Sequence, residues 1–302
     1  MAHFDGFIKY FKKTEELLHS DDIIKKNYKK SIYKSFIDDK HYEEVHVEND
    51  NGMIYLWVQN HGEGNDNTYQ SIFDLKDIEM IYINYMYFML EPLNYITEIN
   101  NCLIIGLGAG QLSMILKKII PNLNMDIVEL NPIMYDIVRS FDTHIIDTLN
   151  NKKNINYHIQ NGITFLQKYN ELYDLISIDL DGIQAYENFD FHLISDILTK
   201  NGIFVSNVYS DSGLDVIKDT TITKLLNENF KYVKKYIIYS GKPFDKPSKN
   251  YVFICMNKYE PDLFNTVVKN KLGEYKYINK LIEIWHSQQI DDVVFEIEKI
   301  IN

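Results

Sequence analysis

Hydrophobic and polar positions change their period twice along this chain of 302 residues. Phe4, Phe7, Ile8 and Phe11 recur at helical spacing among lysines, which predicts a helical N-terminal arm over residues 1–40. From His41 the period becomes two. Tyr42 to Val47, then Asn49-Asp50-Asn51-Gly52, then Met53 to Val58 predict a β-hairpin closed by an Asn-Gly turn, and so a small β-hairpin subdomain over residues 41–75. Gly62 and Gly64 among Asn and Asp residues make Asn60 to Thr68 a loop.

After a helix expected across 76–92, apolar runs at 102–106, 125–130, 155–159, 174–178 and 203–208 alternate with amphipathic segments. That alternation predicts a parallel sheet covered on both faces. Helices are expected at Gln111 to Ile120 and at Pro132 to Phe141, the second with Asn131 as N-cap and Pro132 at its first position. Runs at 231–239 and 251–256 follow one another without a helix, which predicts an antiparallel pair closing the sheet. The domain so defined covers 76–260, and amphipathic helices are expected in a C-terminal extension over 261–302.

Composition narrows the class. With 45% hydrophobic residues the chain suffices for one large core and a smaller subdomain. Its net charge of -12, with basic residues spread along the chain, disfavours a nucleic-acid partner, and Lys25 to Lys30 is read as a solvated helix face. A small cation or a basic protein segment fits that charge better. Cys102 and Cys255 lie in apolar runs and are expected to be buried thiols in a reducing compartment. Met1 to Ser20 lacks the apolar core of a signal peptide, and Ile78 to Leu90 is too short to span a bilayer, so the expectation is a soluble cytoplasmic protein with no membrane partner. His46, His158 and His192 show no metal-ligand spacing, and no metal site is expected.

The chemistry is concentrated at strand ends. Leu103 to Ile105 runs into Gly106-Leu107-Gly108-Ala109-Gly110 and then a helix, a turn in which a ligand can approach backbone N–H groups. Nineteen residues beyond Gly110, Glu129 ends a second strand, placed to accept the hydroxyls of a ribose. Asn161-Gly162 ends a third, where a polar side chain can meet an adenine edge. Asp179 and Asp181 end a fourth over the same crevice. Ligands of open parallel sheets bind at these carboxyl ends. A nicotinamide-binding site fits less well, because Gln111 stands where the third glycine of that motif falls.

These residues resemble the spermidine synthase-like branch of class I S-adenosylmethionine-dependent transferases, over roughly residues 41–257. The likeness rests on the hairpin, Gln70 followed by a helix, the Gly106 to Gly110 loop, Glu129, Asn161-Gly162 and Tyr173-Asp174 through Asp179. It implies an α/β fold with a Rossmann-like seven-stranded methyltransferase sheet, a homodimer, and S-adenosylmethionine or its decarboxylated form as cofactor. Gly106, Gly108 and Gly110 then serve the cofactor tail, Glu129 the ribose, and Asn161 with Gly162 the adenine. Asp179 assists deprotonation of an attacking amine, and Asp181, Tyr82 and Gln70 line the acceptor pocket. Four positions depart from the family pattern. Ala109 stands where an aspartate holds the cofactor's amino end, Asn84 replaces a glutamate, Asn161 replaces an aspartate that meets the adenine and can still accept a hydrogen bond, and the second acid of the Asp179 segment is displaced to Asp181. The loss at Ala109 favours methyl transfer to an amine or protein acceptor. Aminopropyl transfer to a polyamine is the alternative, and a catalytically retired nucleoside-binding scaffold is the second.

Overall fold

The computed structural model describes residues 11–16, 28–36, 42–60, 69–96, 98–141, 154–180, 186, 189–210, 216–240, 248–257 and 295–301. The chain forms two units. One comprises Met1–Ile83, Gly108–Ile115 and Asn131–Asn151; the other comprises Asn84–Leu107, Leu116–Leu130 and Lys152–Asn302.

The first unit is built on an antiparallel sheet of β1 (Phe11–Glu16), β2 (Tyr28–Phe36), β3 (Tyr42–Asp50), β4 (Met53–Asn60) and β5 (Tyr69–Asp74), in sequence order. The expected hairpin is β3–β4. Asn51 and Gly52 both take positive φ, 55° and 105°, the conformation that matches a tight turn to the twist of its strands. Asn49 Oδ1 accepts the Gly52 N–H at 2.9 Å and fixes the corner. Tyr33, Val45, Val47, Leu56 and Phe73 are buried, and Phe73 meets Phe141 edge-on at 5.8 Å. Phe141 follows a helix, Pro132–Ser140, that starts as expected, with Asn131 Oδ1 accepting the Ile133 N–H and Pro132 in the first turn.

The helical arm expected over 1–40 is corrected where it is described: Phe11–Glu16 and Tyr28–Phe36 are strands, and the rest of the arm lies outside the described residues. The ladder decides this. Nine residues of β2 pair with β3 from Tyr28↔Asp50 to Phe36↔Tyr42, satisfying an edge that an isolated helix would leave open. Lys29 and Lys30 therefore belong to a strand, not to a helix face. The helix expected across 76–92 is also shorter. Turns anchored by Asp74 occupy its first half, α1 spans Tyr85–Met89, and Pro92, with no N–H to give to a carbonyl of α1, ends it ahead of a 3-10 turn over Glu91–Asn94.

The second unit holds β6 (Asn101–Ile105), β7 (Asn124–Glu129), β8 (Ile155–Ile159), β9 (Tyr173–Leu180), β10 (Leu198–Ser210), β11 (Tyr232–Ser240), β12 (Ser248–Met256) and β13 (Phe295–Ile301). Their order is β8-β7-β6-β9-β10-β12-β11-β13. The seven strands expected from the periodicity are all present, parallel from β8 to β10, with β12 antiparallel to both neighbours. β13 adds an eighth, antiparallel to β11. This corrects the closing helix at 295–301, where Phe295, Ile297 and Ile301 alternate at strand period along an otherwise open edge; residues 258–294 lie outside the described residues.

Helices α2 (Gln111–Ile119), α3 (Pro132–Ser140), α4 (Gly162–Lys168), α5 (Phe191–Asp196) and α6 (Val216–Asn229) complete the chain's regular elements among the described residues. Within the second unit, Phe165, Ile176, Phe204, Leu226, Phe230 and Phe253 bury one face of the sheet. Near the opposite face, α1 packs on β10 and β12. Cys102 and Cys255 are buried free thiols, whose pKa burial pushes upward. No helix among the described residues is long and apolar enough to cross a membrane.

Candidate functional site

The carboxyl ends of β6, β7 and β9 in the second unit are held together by glycine geometry and one acid. Gly106 ends β6 at φ 94°, and a Cβ there would lie 2.0 Å from the Asp179 carbonyl oxygen. Only glycine permits that approach of two backbones. Glu129, at the end of β7, takes the Leu107 N–H on Oε2 at 2.9 Å, so its carboxylate is tied to the glycine turn. Beside it, Ile159 pairs with Glu129 across β8. Leu130 and Ile159 are 57% and 46% exposed, large apolar side chains left uncovered at adjoining strand ends.

Asn161 caps α4. Its Oδ1 accepts the N–H groups of Ile163 at 2.9 Å and Thr164 at 3.3 Å. The sequence reading allowed Asn161 to accept a bond from a ligand; with the oxygen so engaged, the side chain instead presents its NH2 as a donor. Gly162 lets α4 start against β6, since a Cβ would meet Ile105 Cγ2 at 2.5 Å.

Asp179 is the most constrained acid of the set. Tyr85 donates its hydroxyl to Oδ2 at 2.9 Å, and Asn207 Nδ2 donates to Oδ1 at 2.9 Å. Burial, and then the charge of Asp179, push the Tyr85 pKa well above the ordinary tyrosine value, so the phenol stays a donor. Tyr186, whose pKa burial also raises, donates to the carbonyl of Asn207 at 2.5 Å and accepts from the Leu180 N–H at 3.2 Å. Charge-assisted bonds to both oxygens orient the carboxylate more firmly than one would.

In the first unit, Gly108 (φ 52°) and Gly110 (φ 82°) complete the turn. A Cβ on Gly110 would press on Val138 Cγ2 at 3.2 Å. Ser71 Oγ, on β5 beside Gln70, accepts the N–H of buried Ala109 at 3.4 Å. Gln111 is buried and donates to the carbonyls of Ile78 and Met80. Tyr82 lies ahead of α1, is 43% exposed, and gives its hydroxyl to Met80 Sδ. Asp181 lies outside the described residues.

The sequence reading therefore missed Tyr85, Asn207 and Tyr186. Asn207 carried a signal, a polar residue within the apolar run Ile203 to Val208. Tyr85 carried none, because its partner is remote in sequence. Among the described residues there is no group of three or more His, Cys, Asp or Glu side chains able to hold a metal ion.

The family model for the spermine/spermidine synthase domain matches residues 81–272. No curated protein matches the sequence. Among solved structures, a spermidine synthase in complex with the transition-state analogue AdoDATO is similar, at 16% identity and TM-score 0.55, over 81% of this chain and 82% of that one. The spermidine synthase from Thermotoga maritima gives 16% and 0.54, over 81% of each chain. A probable spermidine synthase from Corynebacterium glutamicum ATCC 13032 gives 12% and 0.53, over 73% of this chain and 78% of that one. At these identities the likeness establishes the fold.

Proposed function

The chain belongs to the spermine/spermidine synthase domain family, and on that premise we propose that it transfers a group from an S-adenosylmethionine-type sulfonium to an amine nitrogen. The observation that carries this reading is the Asp179 carboxylate, oriented by Tyr85 and Asn207 at the same end of the sheet as Glu129. The residues present suit such a nucleoside. Glu129 offers a carboxylate to ribose hydroxyls, Leu130 and Ile159 offer apolar surface to a purine, and Asn161 offers a donor to a ring nitrogen. Gly106, Gly108 and Gly110 are assigned to the tail, with Gly162 beside the purine.

The sulfonium supplies an electrophilic carbon and a thioether leaving group. The nitrogen lone pair forms the new C–N bond as the C–S bond breaks and its electrons go to sulfur. The nitrogen then loses its N–H proton to Asp179, which passes it to solvent. The protein's part is to hold the nitrogen in line, exclude water and take that proton.

Aminopropyl transfer to a polyamine is the reading the family match supports, in preference to the methyl transfer expected from the sequence. The absence of an acid at Ala109 favours methyl transfer as the second reading. Gln70, Tyr82 and Asp181 are assigned to the acceptor side, and a homodimer is the assembly proposed. Calorimetric binding of S-adenosylmethionine, its decarboxylated form and methylthioadenosine, followed by product analysis with a diamine, tests the scheme. Preference for the decarboxylated form with release of methylthioadenosine supports aminopropyl transfer. Preference for the carboxylated form supports methyl transfer, and binding of none leaves the scaffold reading.

A further inference from the structure

Two buried polar atoms beside Asp179 have no part in the scheme above. Ser177 Oγ and Asn207 Oδ1 are both without a hydrogen-bond partner, in residues that are 1% and 3% exposed. Leaving such atoms unpaired in a packed sheet is costly, and buried polar groups of this kind are where internal water is held. Ser177 precedes Asp179 by two residues on β9, so both project from the same face. Asn207 pairs with Asp179 and Val205 with Ser177 on the adjoining strand β10. Ser177 and Asn207 are therefore diagonal neighbours on one face, and polar side chains so placed lie within reach of a single bridging water.

We propose that Ser177 is a positioning residue for the transfer reaction: its hydroxyl donates to one internal water, the water donates to Asn207 Oδ1, and the amide so held keeps Nδ2 on Asp179. The inference rests on the reading of Asp179 as the group that takes the acceptor's proton. Its physical basis is the near symmetry of an amide. Turned over, the Asn207 side chain would place an oxygen against the Asp179 carboxylate and an NH2 against the water. The Asp179 carboxylate disfavours this by repelling an amide oxygen, and the bridge from Ser177 adds a donor on Asn207 Oδ1 that holds the amide in the same orientation. Alanine at 177 removes that constraint, while threonine keeps the hydroxyl on a side chain suited to a strand.

The test combines density with kinetics. A crystal structure of the protein that resolves waters is expected to show one within hydrogen-bond distance of both Ser177 Oγ and Asn207 Oδ1. A dry site, or a direct bond between the two side chains, overturns the proposal. For Ser177→Ala, sulfonium binding and unfolding temperature should hold while kcat falls about tenfold with little change in KM, and Ser177→Thr should restore kcat. Equal losses in both variants, or a loss confined to KM, sink the positioning role. A wild-type protein that turns over no sulfonium overturns the reading of Asp179 and with it this role. The water site is read separately, from density alone, so the two failures are distinguishable.

Discussion

Tyr85 and Asp179, 94 residues apart in sequence, meet in a hydrogen bond of 2.9 Å in which the phenol donates to the carboxylate. Tyr85 opens α1 and Asp179 sits near the end of β9, so the bond fixes the orientation of a side chain whose function is set by where its lone pairs point. Tyr85→Phe removes that donor from the carboxylate. We expect sulfonium binding to persist and the transfer rate to fall about tenfold or more. Single-turnover measurement of product release checks this, and an unchanged rate would remove Tyr85 from the site.

Glu129→Ala should weaken methylthioadenosine binding at least about tenfold in calorimetry, since it removes the carboxylate assigned to the ribose and frees the Leu107 N–H it holds. Retention of full affinity would place the nucleoside elsewhere.

Gly106→Ala and Gly108→Ala separate packing from backbone strain. At Gly106 the added carbon would sit 2.0 Å from the Asp179 carbonyl oxygen, and a loss of more than about 4 kcal/mol, or failure to fold, is expected. At Gly108 the nearest side-chain atom is Ser71 Oγ at 3.5 Å, so only the left-handed φ of 52° costs, about 1 kcal/mol. Denaturant unfolding of the two variants gives the comparison.

Ala109→Asp restores an acid beside the turn. A carboxylate attracts an ammonium and repels another carboxylate, so the ratio of affinities should move toward decarboxylated S-adenosylmethionine. Competition calorimetry reads the ratio directly, and no movement would mean that the tail does not pass Ala109.

Alkaline pH should destabilise the fold. Burial is the largest cause of the raised pKa values of Tyr85, Tyr173 and Tyr186, ordinarily 10.0, and of Cys102 and Cys255, ordinarily 9.0. The folded protein thus binds these protons more tightly than the unfolded chain. Their contribution is fully present below about pH 9 and is lost as pH rises through the folded values. Unfolding temperature measured from pH 7 to 11 should fall steeply above about pH 9, and a flat profile contradicts the burial of these groups.

The sheet was readable because its strands are buried on both faces and so appear as continuous apolar runs, as in Leu103 to Ile105 and Leu175 to Ile178. The Asn49 to Gly52 turn and the Asn131 cap were readable because their chemistry is local. The strand at Tyr28–Phe36 was not. Its Lys-rich pattern is compatible with a helix, and what selects the strand is the free edge of β3. Phe295–Ile301 is the same case against β11.

For the candidate site, the residue sequence by itself determined the glycine turn, Glu129, Asn161 and Asp179, because each ends a strand whose period identifies it. Only the tertiary structure decided what those groups can do. It brought Tyr85 and Asn207 to Asp179 as donors and spent the Asn161 oxygen on a helix cap. Period and turn chemistry are carried by residues close in the chain, whereas hydrogen-bond partners such as Tyr85 and Asn207 are assigned by packing between elements that the sequence leaves far apart.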